Sequence, residues 1–300
     1  MDALKNLFSK WLGTSLKSNE LNVHEHRKWK RVGEHIVALK TLHDSHNLAE
    51  FLNELVALQK SCGGTDFTGI IRVYGASQNP YSEEYIMVLD LAKDGDLRHY
   101  IRQNLVNYSW SHRIDTLHQI AVGLSQLHNK ELVHRDFHGG NVLIHGNFCN
   151  ENVVYVLVTD LGLCRSTDKL ASSGTYASGE LPFANVSHNI DLAFQICHGT
   201  RPRLPDNIPP FYAQLMQQCW DTNPSIRPST KYIVETARKW LHEPTSDIVS
   251  ELQMAEAMRL KSSKTDTQME TKIHPEAIYT SRLLPTPKYF NFLTFENLYL

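Results

Sequence analysis

Three hundred residues, 41% of them hydrophobic, with a formal net charge of −2, suffice for one domain plus a tail. Lysines and arginines are spread along the chain, which gives no electrostatic case for nucleic acid, and no apolar run nears the roughly 18 residues of a bilayer span. Five cysteines (Cys62, Cys149, Cys164, Cys197 and Cys219) form no CxxC pair and are odd in number, as expected of reduced thiols in an intracellular, cytoplasmic protein. No signal-peptide core opens the chain.

In chain order, Leu4, Leu7, Phe8, Trp11 and Leu12 recur at helical spacing among Lys5, Lys10 and Lys17, an amphipathic segment within residues 1–25. A helix on the domain, a loose terminus and a membrane-surface helix are the alternatives it leaves open. Residues 29–42, WKRVGEHIVALKTL, read as a turn feeding a strand. A helix follows from about Asn47, with Leu48, Phe51, Leu52, Leu55 and Leu58 as its buried stripe. Strands at 70–75 and 84–92 flank the turn-rich SQNPYSE, and the second runs through a Gly turn into a helix start, KDGDLRHYI. From about Ser111 a long helix is marked by Ile114, Leu117, Ile120, Ala121, Leu124 and Leu127, ending at His128-Asn129-Lys130.

Residues 132–144, LVHRDFHGGNVLI, are where the chemistry concentrates. Asp136 and Asn141 stand five residues apart on a loop braced by two apolar runs, and can converge on one metal-bound phosphate. The carboxylate accepts a proton from an attacking hydroxyl while the amide oxygen ligates Mg²⁺. Further on, VLVTDLGL places Asp160 at the end of a β-rich run, where a carboxylate holds the same metal from the other side. The plainer reading makes HRD a surface turn and Asp160 a strand-end cap.

Residues 142–144 and 153–158 form a hairpin around GNFCNEN. Short helices follow at 190–197 and 212–220, and Pro228 and Ser229 open another that runs to about Leu241. Pro244 marks a boundary, Ser246-Asp247 cap an amphipathic helix to about Leu260, and LKSSKTDTQMETK is a polar linker. The end, HPEAIYTSRLLPTPKYFNFLTFENLYL, is apolar and broken by proline, suited to docking on the domain or on a protein partner.

These motifs resemble a eukaryotic protein kinase of the tyrosine-kinase-like serine/threonine group. His134, Arg135, Asp136 and Asn141 match HRD-x-x-x-x-N, and Asp160-Leu161-Gly162 stands for Asp-Phe-Gly. CWDTNPSIRPS (219–229) is similar to the lower-lobe motif whose arginine, here Arg227, is buried against a glutamate. The resemblance implies an α+β, two-lobed kinase-like fold over 26–243, with the small lobe at 26–91, the large lobe at 92–243, and a helix, linker and tail at 244–300. It implies ATP and Mg²⁺ as cofactors and a protein hydroxyl as substrate. Lys40 of VALK would grip the α- and β-phosphates, with Glu54, opposite the helical stripe's edge, as its partner and Glu50 as runner-up. Ala38 would roof the adenine and Leu143 floor it. Leu89 would be the gatekeeper, Asp90 and Ala92 would offer backbone hydrogen bonds, and Leu97 would pack beneath. Val73, Leu58, Leu161 and His134 would stack as a spine.

Three departures bear on activity. Residues 1–36 hold only Gly13 and Gly33, so there is no Gly-rich loop to cover phosphates, and the first two strands of the small sheet are expected to be missing. Between Gly162 and Ile190 the chain is too short for an activation segment, an Ala-Pro-Glu motif and a central helix together, which leaves Glu180 as the only carboxylate placed to pair with Arg227. That shortfall predicts uncovered apolar faces on the 111–127 and 212–220 helices. Thirdly, His138 replaces the lysine that steadies the transferring phosphate. The alternatives are a catalytically impaired, pseudokinase-like interaction protein, a small-molecule phosphotransferase (HRDFHGGN is similar to the HGDxHxxN loop of aminoglycoside kinases), and, weakest, a metal hydrolase built on His134, Asp136 and His138.

Overall fold

The computed structural model describes residues 36–41, 48–61, 69–82, 84–105, 107–146, 154–166, 182–265 and 273–278. The amphipathic N-terminal segment, the 147–153 turn, Glu180, the residues after 278 and the side chain of Glu50 lie outside them.

Short β-branched and aromatic runs form the upper layer. Strands β1 (Val37–Thr41), β2 (Val73–Gln78) and β3 (Tyr85–Asp90) make an antiparallel sheet in the order β1-β3-β2. Its register sets Ala38 opposite Leu89 and Lys40 opposite Met87. Helix α1 (Leu48–Ser61) packs Phe51, Leu55 and Leu58 into the core beneath. Among the described residues no strand pairs with the outer edge of β1.

The apolar run at 70–75 is not the strand its composition implies. The Ile71 N–H donates to the Val158 carbonyl and the Val158 N–H to the Gly69 carbonyl, both at 2.9 Å. This bridge takes Ile70 and Ile71 out of the sheet, so β2 starts at Val73 and continues to Gln78, into residues that read as a turn. Gly69, at φ +70°, makes the bend, and a Cβ there would stand 2.9 Å from the Gly123 backbone.

The lower layer is helical: α2 (Leu97–Gln103), α3 (Trp110–His128), α4 (Ile190–Cys197), α5 (Pro210–Cys219), α6 (Thr230–His242) and α7 (Ser246–Thr265). Asp96, Ser109, Asn189 and Ser229 accept from first-turn N–H groups, the capping that polar side chains give at helix starts. Between α3 and α4 lie the two-residue strand β4 (Leu132–Val133), the hairpin β5 (Val142–Gly146) and β6 (Val154–Val158), and β7 (Arg165–Ser166), which pairs with β4.

Two apolar clusters result, and α3 runs through both. Ile120, Leu124 and Leu127 belong to the upper one, with Leu58, Met87, Leu89 and Leu161. Trp110 and Ile114 belong to the lower one, with Tyr212, Leu215, Trp240 and Ala255. The uncovered faces expected on α3 and α5 are not found: no large apolar side chain of either helix is exposed. Helix α6 covers α3, and α7 contacts both α3 and α5. Helix α7 runs five residues past the expected end, and its carboxylates serve two other helices. Glu256 accepts from the Trp110 N–H at 3.2 Å and Glu251 from the Phe211 N–H at 3.0 Å.

Candidate active site

The site forms where β1, α1, the loop after β4 and the end of β6 meet. Lys40 projects from β1 and its Nζ lies 2.9 and 2.8 Å from the two Glu54 carboxylate oxygens and 3.2 Å from Asp160 Oδ1. Glu54 falls within the buried stripe of α1, at i+3 from Phe51 and one residue before Leu55, and is 3% exposed. Burial disfavours the ammonium, but the charges of Glu54 and Asp160 outweigh it and hold the Lys40 pKa above its ordinary value.

Thr159 stitches the loop to the strand end that carries Asp160. Its carbonyl lies 2.9 Å from His134 Nε2, and its N–H donates to the Asn141 carbonyl at 3.0 Å. The His134 ring is almost wholly buried, rests edge-on against Phe137, and accepts the Asp136 N–H at Nδ1. A carbonyl only accepts, so Nε2 carries the proton and the imidazole is neutral; burial accordingly lowers its pKa. Arg135 (φ +68°) and Asp160 (φ +61°) both sit in the left-handed region. Side chains with a Cβ pay about 1–3 kcal/mol each for it, and surrounding contacts must over-determine such backbone.

The one-turn 3₁₀ helix Gly139–Asn141 brings Asn141 back to Asp136. Asn141 Nδ2 donates to the Asp136 carbonyl at 2.9 Å and lies 3.5 Å from Asp136 Oδ2. Both partners are acceptors, which fixes the amide orientation and leaves Oδ1 as the atom for a cation. Asn141 Oδ1 and the Asp160 carboxylate are hard oxygen donors of the kind Mg²⁺ takes, one or two per protein alongside phosphate oxygens and water. No cluster of three or more His, Cys, Asp or Glu side chains forms a metal cage among the described residues. His138 Nε2 lies 3.8 Å from Asp136 Oδ2, and burial lowers the pKa of this ring despite the carboxylate beside it.

Four of the residues assigned to the adenine pocket belong to the upper cluster or border it. Leu89 and Leu97 are buried in it, and Ala38 and Leu143 pack half-buried against it. The Asp90 N–H is engaged, donating to the Arg72 carbonyl at 2.9 Å. Of the spine residues, Leu58 and Leu161 are fully enclosed and Val73 packs on the same cluster. Arg227 donates through Nε to the Asp221 carbonyl at 2.8 Å. Sequence reasoning missed Thr159, whose backbone alone is used, and Arg98, which reaches His138 from forty residues away.

With that geometry in place, comparison with known proteins gives the class. The sequence model of the family described as protein tyrosine and serine/threonine kinase matches residues 22–178 and 173–237, and the chain belongs to this family. The two matched stretches meet at 173–178, inside the shortened region after Gly162. Curated relatives include a probable serine/threonine-protein kinase of Dictyostelium discoideum, 26% identical over 55% of this chain and 12% of its own length. A second probable serine/threonine-protein kinase of that organism is 25% identical over 67% of this chain and 18% of its own. A probable LIM domain-containing serine/threonine-protein kinase, also of that organism, is 24% identical over 64% and 33%. The chain thus spans a third or less of the length of these relatives. No helix among the described residues is long and apolar enough to cross a membrane.

Proposed function

We propose that the chain acts as a serine/threonine protein kinase domain of the tyrosine-kinase-like group, passing the γ-phosphate of ATP to a protein hydroxyl. The observation that carries the reading is Lys40 held between Glu54 and Asp160, one cation joining β1, α1 and the end of β6. In this role Lys40 meets the α- and β-phosphates, and Ala38, Leu89, Ala92 and Leu143 enclose the adenine. Asp136 takes the proton from the attacking hydroxyl, with Arg135 and His138 shaping the loop around it. Asn141 and Asp160 hold Mg²⁺, which supplies neutralisation of the charge on the transferring phosphate. The substrate and the pathway belong to the whole protein.

A second reading is a nucleotide-binding interaction protein without useful turnover. It is favoured by the absence of a GxGxxG loop and an Ala-Pro-Glu motif from the sequence, the parts that cover phosphates and seat a protein substrate. Two measurements separate the readings. Mg-ATP raises the melting temperature in both, by an amount set by mass action (about 2.7 kcal/mol at 100 times Kd). Lys40→Met, referred to its own unliganded midpoint, abolishes that rise. Phosphorylation of a generic protein substrate that falls by roughly 10²–10⁴-fold in Asp136→Asn establishes the kinase. Binding without such turnover establishes the second reading, and no thermal shift at millimolar Mg-ATP removes both.

A further inference from the structure

We propose that Arg98, on the first turn of α2, is a positioning residue for the catalytic loop: it locks the His138 imidazole in the Nε2–H tautomer with that N–H aimed at Asp136. The role assigned to Asp136 rests on the kinase reading above; the lock itself does not.

The argument is a count of donors. His138 Nδ1 faces the Gly140 N–H at 3.0 Å and Arg98 Nη2 at 3.2 Å. A peptide N–H and a guanidinium can only donate, so Nδ1 must be the bare, accepting nitrogen and the ring proton resides on Nε2. That nitrogen is the one 3.8 Å from Asp136 Oδ2, just beyond hydrogen-bond reach. Either donor alone favours this tautomer. Arg98 adds a fixed positive charge beside Nδ1, which opposes a proton there far more strongly than a neutral N–H does.

The residue between the two is a glycine for a visible reason. A Cβ on Gly140 would stand 2.6 Å from Arg98 Nη2 and 2.9 Å from His138 Cε1. Any side chain at 140 therefore has to push the guanidinium and the ring apart. Arg98 itself is delivered by α2, whose start is fixed by Asp96 capping the His99 N–H and by the Asp96–Leu143 bridge to β5. The arrangement places a cation within one side chain of Asp136 although the loop carries histidine where the family resemblance expects lysine. The guanidinium charge reaches the loop through the imidazole, which turns it into an oriented N–H dipole toward the carboxylate.

The test is the protonation pattern of the His138 ring in the ¹⁵N-labelled full chain, assigned by loss of its signals in His138→Gln. The wild type is expected to show one protonated nitrogen, Nε2, and one bare nitrogen, Nδ1, in a single state. Arg98→Met, at a half-exposed position, is expected to keep the melting temperature but to shift His138 toward a mixture of tautomers. Arg98→Lys is expected to restore most of the wild-type pattern, and Gly140→Ala to imitate Arg98→Met by displacing the same pair. Where turnover is measurable, Arg98→Met lowers kcat about tenfold with little change in KM for ATP, since what it loses is orientation of the base. A wild-type ring protonated at Nδ1, or an Arg98→Met spectrum identical to wild type, overturns the proposal. Both spectral results are obtained without nucleotide, so they stand apart from any failure to bind or use ATP.

Discussion

The two apolar clusters of this molecule are built in opposite ways. The upper one gathers short pieces of nine elements, and its rim carries charged groups: Lys40, Glu54, Asp136 and Asp160. The lower one is helix on helix, closed by edge-on and tilted ring contacts among Trp110, Tyr212, Phe211 and Trp240. It is fastened by α7, which lies beyond the end of the family match at 237. The upper cluster thus holds positioned polar groups at a boundary, at a cost in burial and backbone strain. The lower cluster holds them in place by supporting α3, the one helix common to both. Helix α7 supplies caps and apolar cover in a chain whose lower lobe is shortened after Gly162.

The widest break in that comparison is removal of α7. A chain ending at Pro244 loses the Glu251 and Glu256 caps, each worth about 1 kcal/mol. It also exposes the surfaces that Ala255, Ile248 and Leu252 cover, at about 25 cal/mol per Å². Together these reach several kcal/mol, a large part of the roughly 5–15 kcal/mol that hold a domain. Loss of a cooperative thermal transition and strong binding of a hydrophobic dye are expected. A chain ending after Thr265 should keep the transition. Equal melting of the two truncations would show that α7 is dispensable.

The next break is inside the upper cluster, where Gly69 and Gly123, next to Ile70 and Leu124, meet backbone to backbone. Alanine in the middle of an exposed helix ordinarily gains about 1 kcal/mol over glycine. Gly123→Ala is expected to lose about 1–3 kcal/mol instead, because the new Cβ meets the Gly69 carbonyl and Val158 Cγ2 and neither can move cheaply. A urea midpoint shifted upward would contradict this.

Within the site, Lys40→Met leaves the buried Glu54 carboxylate without its ammonium. The lysine side chain is 44% exposed, so solvent discounts the penalty to about 1–2 kcal/mol. Asp160→Asn, at a carboxylate 46% exposed, should cost less than about 1 kcal/mol. Chemical denaturation of both variants checks the order; the reverse order would mean that Asp160 rather than Glu54 anchors the lysine.

How legible these regions were in the sequence follows the same division. The loop at 132–144 announces itself because its chemistry-bearing residues are close along the chain, whereas Lys40 and Glu54 are picked out only by the resemblance of VALK to the kinase strand, the helical stripe placing Glu54 at its edge ahead of Glu50. The Ile70–Ile71 run misled because β-propensity cannot show that the backbone pairs with Val158 rather than with β3. The β4–β7 pair, two residues on each side, carries no periodic signal. Arg98 acts across 40 residues of chain and the α7 caps Glu251 and Glu256 across 40 and 146, and their partners are a ring nitrogen and main-chain N–H groups, none of which marks the sequence. The residues 260–272 look like a linker by composition, yet helix α7 continues through the first six of them.

The finest test sets the acid response of the 132–144 loop against that of the rest. Burial lowers the pKa of His134 in the folded chain below the ordinary value near 6.5. The unfolded chain then binds a proton more readily than the folded one. Stability from this group is intact above about pH 6.5, falls as pH drops through that value, and stops falling below the folded pKa. The physical cause is local: a second proton on His134 would have to sit at Nδ1, facing the Asp136 N–H that it now accepts. His128 and His118 are lowered by burial too, so the whole molecule has an acid limb. His134→Gln keeps an N–H donor within reach of the Thr159 carbonyl but has nothing to titrate. We expect this variant to be slightly less stable than wild type at pH 7.5 and to lose less stability between pH 6.5 and 5.5, measured as urea midpoints at each pH. Parallel lines for the two proteins over that interval would assign the acid limb to the other histidines and leave the His134 ring a silent part of the loop.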